Sequence, residues 1–173
     1  IGKIATAATI EPARLKRGLR FIETQGYKVR VTLSPAKFYA KDTHLFSSDS
    51  PKARADALHE LFDDDSVSAI ICARGAYGAM ELLNLLDYKH IAKNPKPLVG
   101  FSDVTALLLT LYQRSGLVTI HGPSVESMSW AEEKKKARAN AVTLFQFLSG
   151  RITNTMSGFK LKRLQGRGAV TAP

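Results

Sequence analysis

Five short apolar runs punctuate the chain, IGKIATAA, YKVRVTL, VSAIICA, PKPLVGF and LVTIHGP, and segments with helical period stand between them. That alternation constrains the fold more than any single residue does. Strands that are apolar on both faces must be covered on both faces, which is the condition of a parallel sheet joined by helical crossovers. In EPARLKRGLRFIETQG, Leu15, Leu19 and Ile22 share one face and Gly26 marks the stop. After the polar loop SPAKFYAKDTHLFSSDS, Ser50-Pro51 supply the N-cap and first turn of the helix KARADALHELF. AMELLNLLDY, DVTALLLTLYQRSG and AEEKKKARANAVTLFQFLSG read as further helices. The predicted fold is α/β, a doubly wound, mainly parallel sheet flanked by helices.

Ligands of such sheets bind outside the carboxyl ends of the strands, near a switch in strand order. The unusual polar segments fall at those ends: Arg74-Gly75-Ala76-Tyr77-Gly78 after the third strand, Ser102-Asp103 after the fourth, His121-Gly122-Pro123 after the fifth. RGAYG opens a helix, so its backbone N–H groups are suited to an anion or a developing oxyanion; a tight turn without a ligand reads equally well. It lacks the GK[ST] ending of a P-loop and is not a GxGxxG fingerprint. Ser102 stands on a sharp strand-to-helix turn, the placement that exposes a nucleophile and puts the next N–H at an oxyanion position. GFSDV lacks the last glycine of a GxSxG elbow, however, and taken alone Ser102 reads more readily as a helix N-cap. A serine nucleophile also needs a base. Of the four histidines, His44 lies in a polar loop, His59 in an amphipathic helix and His90 in a basic turn. His121 alone stands at the strand ends, either as a base or as a turn residue whose ring bonds to backbone. Arg74 suits a substrate carboxylate or a neighbouring acid such as Glu81. Trp130 starts a helix and reads as an interface or core anchor.

Composition narrows the classes. At 173 residues with 45% hydrophobic and 23% charged, the chain can bury one core, over about residues 1–150, with a tail at 151–173. No apolar run approaches the roughly 20 residues of a bilayer span, and no signal-like segment opens the chain, so a cytoplasmic location without membrane contact is expected. The single Cys72 excludes an internal disulfide or a multi-thiolate metal site and reads as a core thiol. The formal charge of +10 is scattered apart from EEKKKAR and carries no aromatic-interleaved basic motif, so nucleic acid is not expected as a partner.

Together, CARGAYGAMELLNLLDY and KPLVGFSDVTALLLTLYQRSGLVTIHGP resemble the LD-carboxypeptidase family of serine peptidases, which also contains the microcin C self-immunity proteins. The likeness extends over most of residues 1–130, and its joint pattern is specific: an R-G-G-Y-G turn, then G-[FY]-S-D-[IV]-T, then H-G-P. The resemblance implies a serine carboxypeptidase that hydrolyses the L,D amide before the terminal D-alanine of a murein tetrapeptide, in the cytoplasm and in cell-wall recycling. It implies Ser102 as nucleophile, the Asp103 N–H with one from Gly75 or Ala76 as oxyanion hole, and Arg74, Tyr77 and His121 near the substrate. No metal or organic cofactor is implied, and a homodimer is. The triad glutamate and histidine of the family come from a C-terminal domain joined by a linker, so His121 matches the H-G-P position rather than the base. That second domain is expected to be missing from this chain: residues 151–173 read as the start of the linker, open to nicking, and 173 residues is expected not to be the natural length. The start at Ile1, without methionine, is likewise expected to reflect a trimmed terminus. Alone, the chain is expected to turn substrate over hardly at all. Ala76 departs from the family glycine, and a positive φ there would cost about 1 kcal/mol or more. Two other readings stay open: hydrolysis of aminoacyl-nucleotide toxins, as in the immunity relatives, and a non-catalytic module that binds an anionic ligand at the same edge.

Overall fold

A computed structural model describes residues 2–4, 11–32 and 49–151. The rest of the first apolar run, most of the loop that holds His44, and the expected linker from residue 152 onward lie outside the described residues. Five strands, β1 (Gly2–Ile4), β2 (Arg30–Val31), β3 (Ile70–Cys72), β4 (Leu98–Gly100) and β5 (Thr119–His121), form one sheet in the order β2-β1-β3-β4-β5. All four pairings are parallel, so each connection is a crossover and the strand order reverses between β1 and β3. The α/β, doubly wound fold expected from the sequence is the one observed.

The helices are α1 (Pro12–Thr24), α2 (Pro51–Asp63), α3 (Tyr88–Lys93) and α4 (Val104–Ser115), which lie in the crossovers, and α5 (Val125–Met128) and α6 (Lys135–Leu148), which follow β5; a 3-10 turn stands at Ala79–Leu82. α1, α5 and α6 pack together; α2, the 3-10 turn, α3 and α4 form a second group. β3 and β4 are buried along their whole length between these layers, which is why their sequences read as unbroken apolar runs. Ile22, Leu58, Leu61, Phe62, Ile70, Ile71, Leu98, Val99, Leu107 and Leu111 are fully buried, and Cys72 is a buried, reduced core thiol, as expected.

Local chemistry sets the helix ends. Ser50 accepts from the Ala53 N–H (3.2 Å) and Pro51 takes the first turn of α2, as the sequence predicts. Gly26 and Gly116 adopt left-handed φ of 86° and 67° after α1 and α4, where other residues would be strained. One helix departs from expectation. AMELLNLLDY does not form a single helix: it makes only the 3-10 turn, and a new helix starts at Asp87, whose carboxylate accepts from the His90 N–H at 3.0 Å. That bond holds the Asp87 carboxyl below the usual carboxylate range. His90 therefore stands on α3 rather than in a turn. Its Nε2 lies 2.5 Å from Asp63 Oδ1, while His59 Nε2 accepts from the Asp87 N–H at 3.0 Å, so these two histidines tie α2 to α3.

α1 and α5 meet without space between them. A methyl on Gly18 would lie 2.1 Å from the Val125 carbonyl oxygen and 2.8 Å from Val125 Cγ1. Backbone on one side leaves no flexible atom to yield, so Gly18→Ala must push the helices apart. The expected cost is about 3 kcal/mol, the upper part of the usual range for overpacking, read as a lower urea midpoint with an unchanged m-value.

Candidate active site

Three strand ends bring the candidate residues together, and parallel pairing makes them neighbours. Gly100 on β4 is in register with His121 on β5, and Gly122 N–H donates to the Gly100 carbonyl at 2.9 Å. On the other side of β4, β3 delivers the glycine turn directly beside the GFSD turn. Two glycines permit this approach. A Cβ on Gly100 would stand 2.6 Å from Val104 Cγ1, so only glycine lets the chain turn from β4 into α4 this sharply. A Cβ on Gly75 would meet the Phe101 carbonyl oxygen and Ser102 Cβ, both at 3.0 Å, with Ser102 Oγ at 3.4 Å. The backbone of Gly75 therefore lies against the side chain of Ser102.

Ser102 is exposed and has φ of 63°. An N-cap residue has extended backbone and a side-chain oxygen that accepts from the first helical turn. Ser50 and Ser124 do so in this chain, with Ser124 Oγ accepting from the Ser127 N–H at 3.3 Å. Ser102 does neither: its backbone carbonyl takes the Thr105 N–H at 2.9 Å, and its Oγ has no hydrogen-bond partner among the described residues. The N-cap reading is therefore corrected by the geometry. A left-handed non-glycine residue on a strand-to-helix turn is a strained position, held only because its surroundings fix it.

The neighbouring turn is strained too. Ala76 has φ of 81°, the positive value expected to cost an alanine about 1 kcal/mol or more. Gly78, at φ 111°, closes the turn. The fully buried Arg54 holds this closure from below, donating from NH1 to the Gly78 carbonyl (2.8 Å), from Nε to the Asp49 carbonyl (3.0 Å) and from NH2 to Glu81. Asp103 joins the two turns: its Oδ2 accepts from the Ala79 N–H at 2.7 Å. The start of the 3-10 turn is thus already satisfied by an acid, so the anion-holding part of this turn is confined to the N–H groups before it. Asp103 was singled out for its backbone N–H; its carboxylate, as the brace between the turns, was not.

The remaining candidates sit around this pair. Tyr77 is exposed. Arg74 Nε lies 3.1 Å from Glu126 Oε2, so its acidic neighbour is Glu126 rather than Glu81, which pairs with Arg54 instead. His121 is exposed with its ring edge-on to Phe101, centroids 6.4 Å apart, and its ring has no hydrogen bond to backbone among the described residues. Phe101 and His121 border an open groove of about 1040 Å³ that runs past Pro123 and Trp130 to Asn140 and Phe147 of α6. Trp130 follows α5 instead of starting a helix, and its ring carries Arg14 at 5.1 Å and Lys134 at 4.8 Å. Among the described residues, no group of three or more acidic, histidine or cysteine side chains is arranged to hold a metal ion, and no helix is long and apolar enough to cross a membrane.

An exposed serine at positive φ between a parallel strand and a helix, its side chain against a glycine turn, occupies the kind of position that the nucleophile elbow of α/β hydrolases uses. The family follows from direct comparison. Residues 1–122 match the LD-carboxypeptidase N-terminal domain family, Peptidase_S66, and the chain belongs to it. It is 35% identical over 127 residues to a probable murein peptide carboxypeptidase of Bacillus subtilis, covering 73% of this chain and 38% of that protein. It is 30% identical over 156 residues to the murein tetrapeptide carboxypeptidase of Pseudomonas aeruginosa, covering 87% and 49%. Among solved structures, the microcin C7 self-immunity protein MccF in complex with glutamyl sulfamoyl guanosine superimposes with a TM-score of 0.76 at 27% identity, covering 93% of this chain and 47% of MccF. The chain thus spans less than half the length of these relatives.

The strain at position 76 makes a prediction. Ala76→Gly removes the left-handed penalty at an exposed site, where an alanine-to-glycine change ordinarily destabilises through the unfolded chain. Here the net effect is expected to be stabilisation by about 0.5–1 kcal/mol in urea unfolding. Loss of stability would mean that Ala76 carries no strain.

Proposed function

We propose that the chain is the nucleophile-bearing half of a serine carboxypeptidase acting on the L,D amide before the terminal D-alanine of murein tetrapeptide. The triad glutamate and histidine are supplied by a C-terminal half. The observation that carries the reading is the exposed Ser102 at φ 63°, uncommitted to capping and packed against Gly75. The names of the murein carboxypeptidase relatives support the substrate class.

In this mechanism Ser102 Oγ attacks the carbonyl carbon of the scissile amide as its proton passes to the histidine of the second half. The carbonyl oxygen becomes an oxyanion and takes the N–H of Asp103 with that of Gly75 or Ala76. Such donors, fixed before the reaction, lower the barrier because they need no reorganisation when charge appears. Collapse breaks the C–N bond, the histidine returns the proton to the leaving nitrogen, and D-alanine departs. Water then attacks the acyl-serine, restoring the hydroxyl and releasing the tripeptide acid. Arg74, Tyr77 and His121 line the approach, and the guanidinium of Arg74 is suited to the terminal carboxylate of D-alanine. No step calls for a metal or organic cofactor. The enzyme acts in the cytoplasm as a homodimer.

A second reading is favoured by the superposition on MccF bound to glutamyl sulfamoyl guanosine: the same serine would cleave an aminoacyl-nucleotide conjugate. An assay panel of murein tetrapeptide against aminoacyl sulfamoyl nucleosides, run with the full-length protein, separates the two by kcat/KM.

Ser102→Ala is expected to abolish D-alanine release, with a fall in kcat of about 10⁴-fold and little change in peptide binding. Binding without turnover by any full-length form, Ser102 intact, would instead indicate a non-catalytic module.

A further inference from the structure

Glu126 on α5 has no part in the chemistry above, yet it holds the glycine turn at two consecutive residues. Its backbone N–H donates to the Ala73 carbonyl at 2.9 Å, and its carboxylate Oε2 lies 3.1 Å from Arg74 Nε. The other oxygen lies 3.3 Å from Arg14 NH1 on α1. Its side chain is 13% exposed, against 39% for Arg74 and 37% for Arg14, so the shared carboxylate is the sheltered member of the three.

The geometry points to Glu126 as the positioning residue of the oxyanion hole, an inference that rests on the serine carboxypeptidase reading. The Gly75 N–H lies in the Arg74–Gly75 peptide plane and the Ala76 N–H in the plane after it, so both directions depend on how the chain leaves Ala73 and Arg74. A turn carrying φ of 81° at Ala76 keeps that shape only while both flanks are fixed. Arg54 on the Gly78 carbonyl and Asp103 on the Ala79 N–H fix the far flank. Glu126 fixes the near flank, once through its main chain and once through its carboxylate. Gly18 seats α5 directly against α1, so the anchor is itself packed against a second helix. Half-exposed ion pairs contribute little to stability, so the main effect of this carboxylate falls on where the turn points.

The test compares Glu126→Ala and Glu126→Gln in the full-length protein. In Glu126→Ala, kcat for D-alanine release is expected to fall about 10-fold while KM stays within about twofold, since the oxyanion exists only after attack. Glu126→Gln keeps an oxygen for Arg74 and is expected to recover most of the lost rate. Wild-type kcat in Glu126→Ala, or a fall matched by lost thermal stability and not rescued by glutamine, would overturn the assignment. A second measurement needs no activity. In amide NMR of the full-length protein, Glu126→Ala is expected to shift the Gly75 and Ala76 signals, and unchanged signals would overturn the inference. If Ser102→Ala keeps full activity, the serine reading fails on its own, and the NMR comparison still decides the role of Glu126.

Discussion

A methyl group on the side of Gly75 that faces Ser102 would fit only if its neighbours gave way by a few tenths of an ångström, and much of the site depends on that close approach. Parallel pairing of β3 and β4 brings two strand-to-helix turns side by side. Gly75 and Gly100 let them close: a Cβ on Gly100 would stand 2.6 Å from Val104 Cγ1, and one on Gly75 would be tight against Phe101 and Ser102 at 3.0 Å. The cost appears as left-handed backbone at Ala76 and Ser102, the only positive-φ non-glycine residues among those described. Strain of this kind is retained only where surrounding interactions over-determine it.

Those interactions are polar and come from distant parts of the chain. Arg54 reaches the turn from α2 through a fully buried guanidinium, Asp103 reaches across from α4, and Glu126 arrives from α5. Breaking the bonds of the fully buried Arg54 is costly because its charge is left without compensation, whereas the part-exposed Glu126 pairs act on the direction of the turn more than on stability. The braces of the glycine turn are therefore spread over three elements, while Ser102, Tyr77 and His121 stand exposed beside it.

The sheet was legible because β3 and β4 are apolar on both faces, and the strand ends followed from the polar segments that interrupt those runs. The division of AMELLNLLDY was not, since an apolar run shows no period when a 3-10 turn and a capped helix share it; Asp87 was the available signal. Gly75, Ser102 and Asp103 were legible as a pattern, through the family likeness more than through propensity, which favoured a cap at Ser102. The partner of Arg74 was not legible. Glu81 was nearby in sequence, whereas Glu126 comes close only when α5 folds back over β3, a contact between segments far apart in the chain.

On the proposed reading, Ser102 is the side chain that this architecture prepares for attack. The most direct measurement is treatment of the full-length protein with a fluorophosphonate analogue of a D-alanyl peptide, whose phosphorus loses fluoride to the attacking serine, followed by intact-mass analysis and peptide mapping. A single adduct on Ser102, suppressed by prior addition of murein tetrapeptide, is the result the account predicts. An unmodified Ser102 in a preparation that releases D-alanine, or an adduct on another residue, would contradict it.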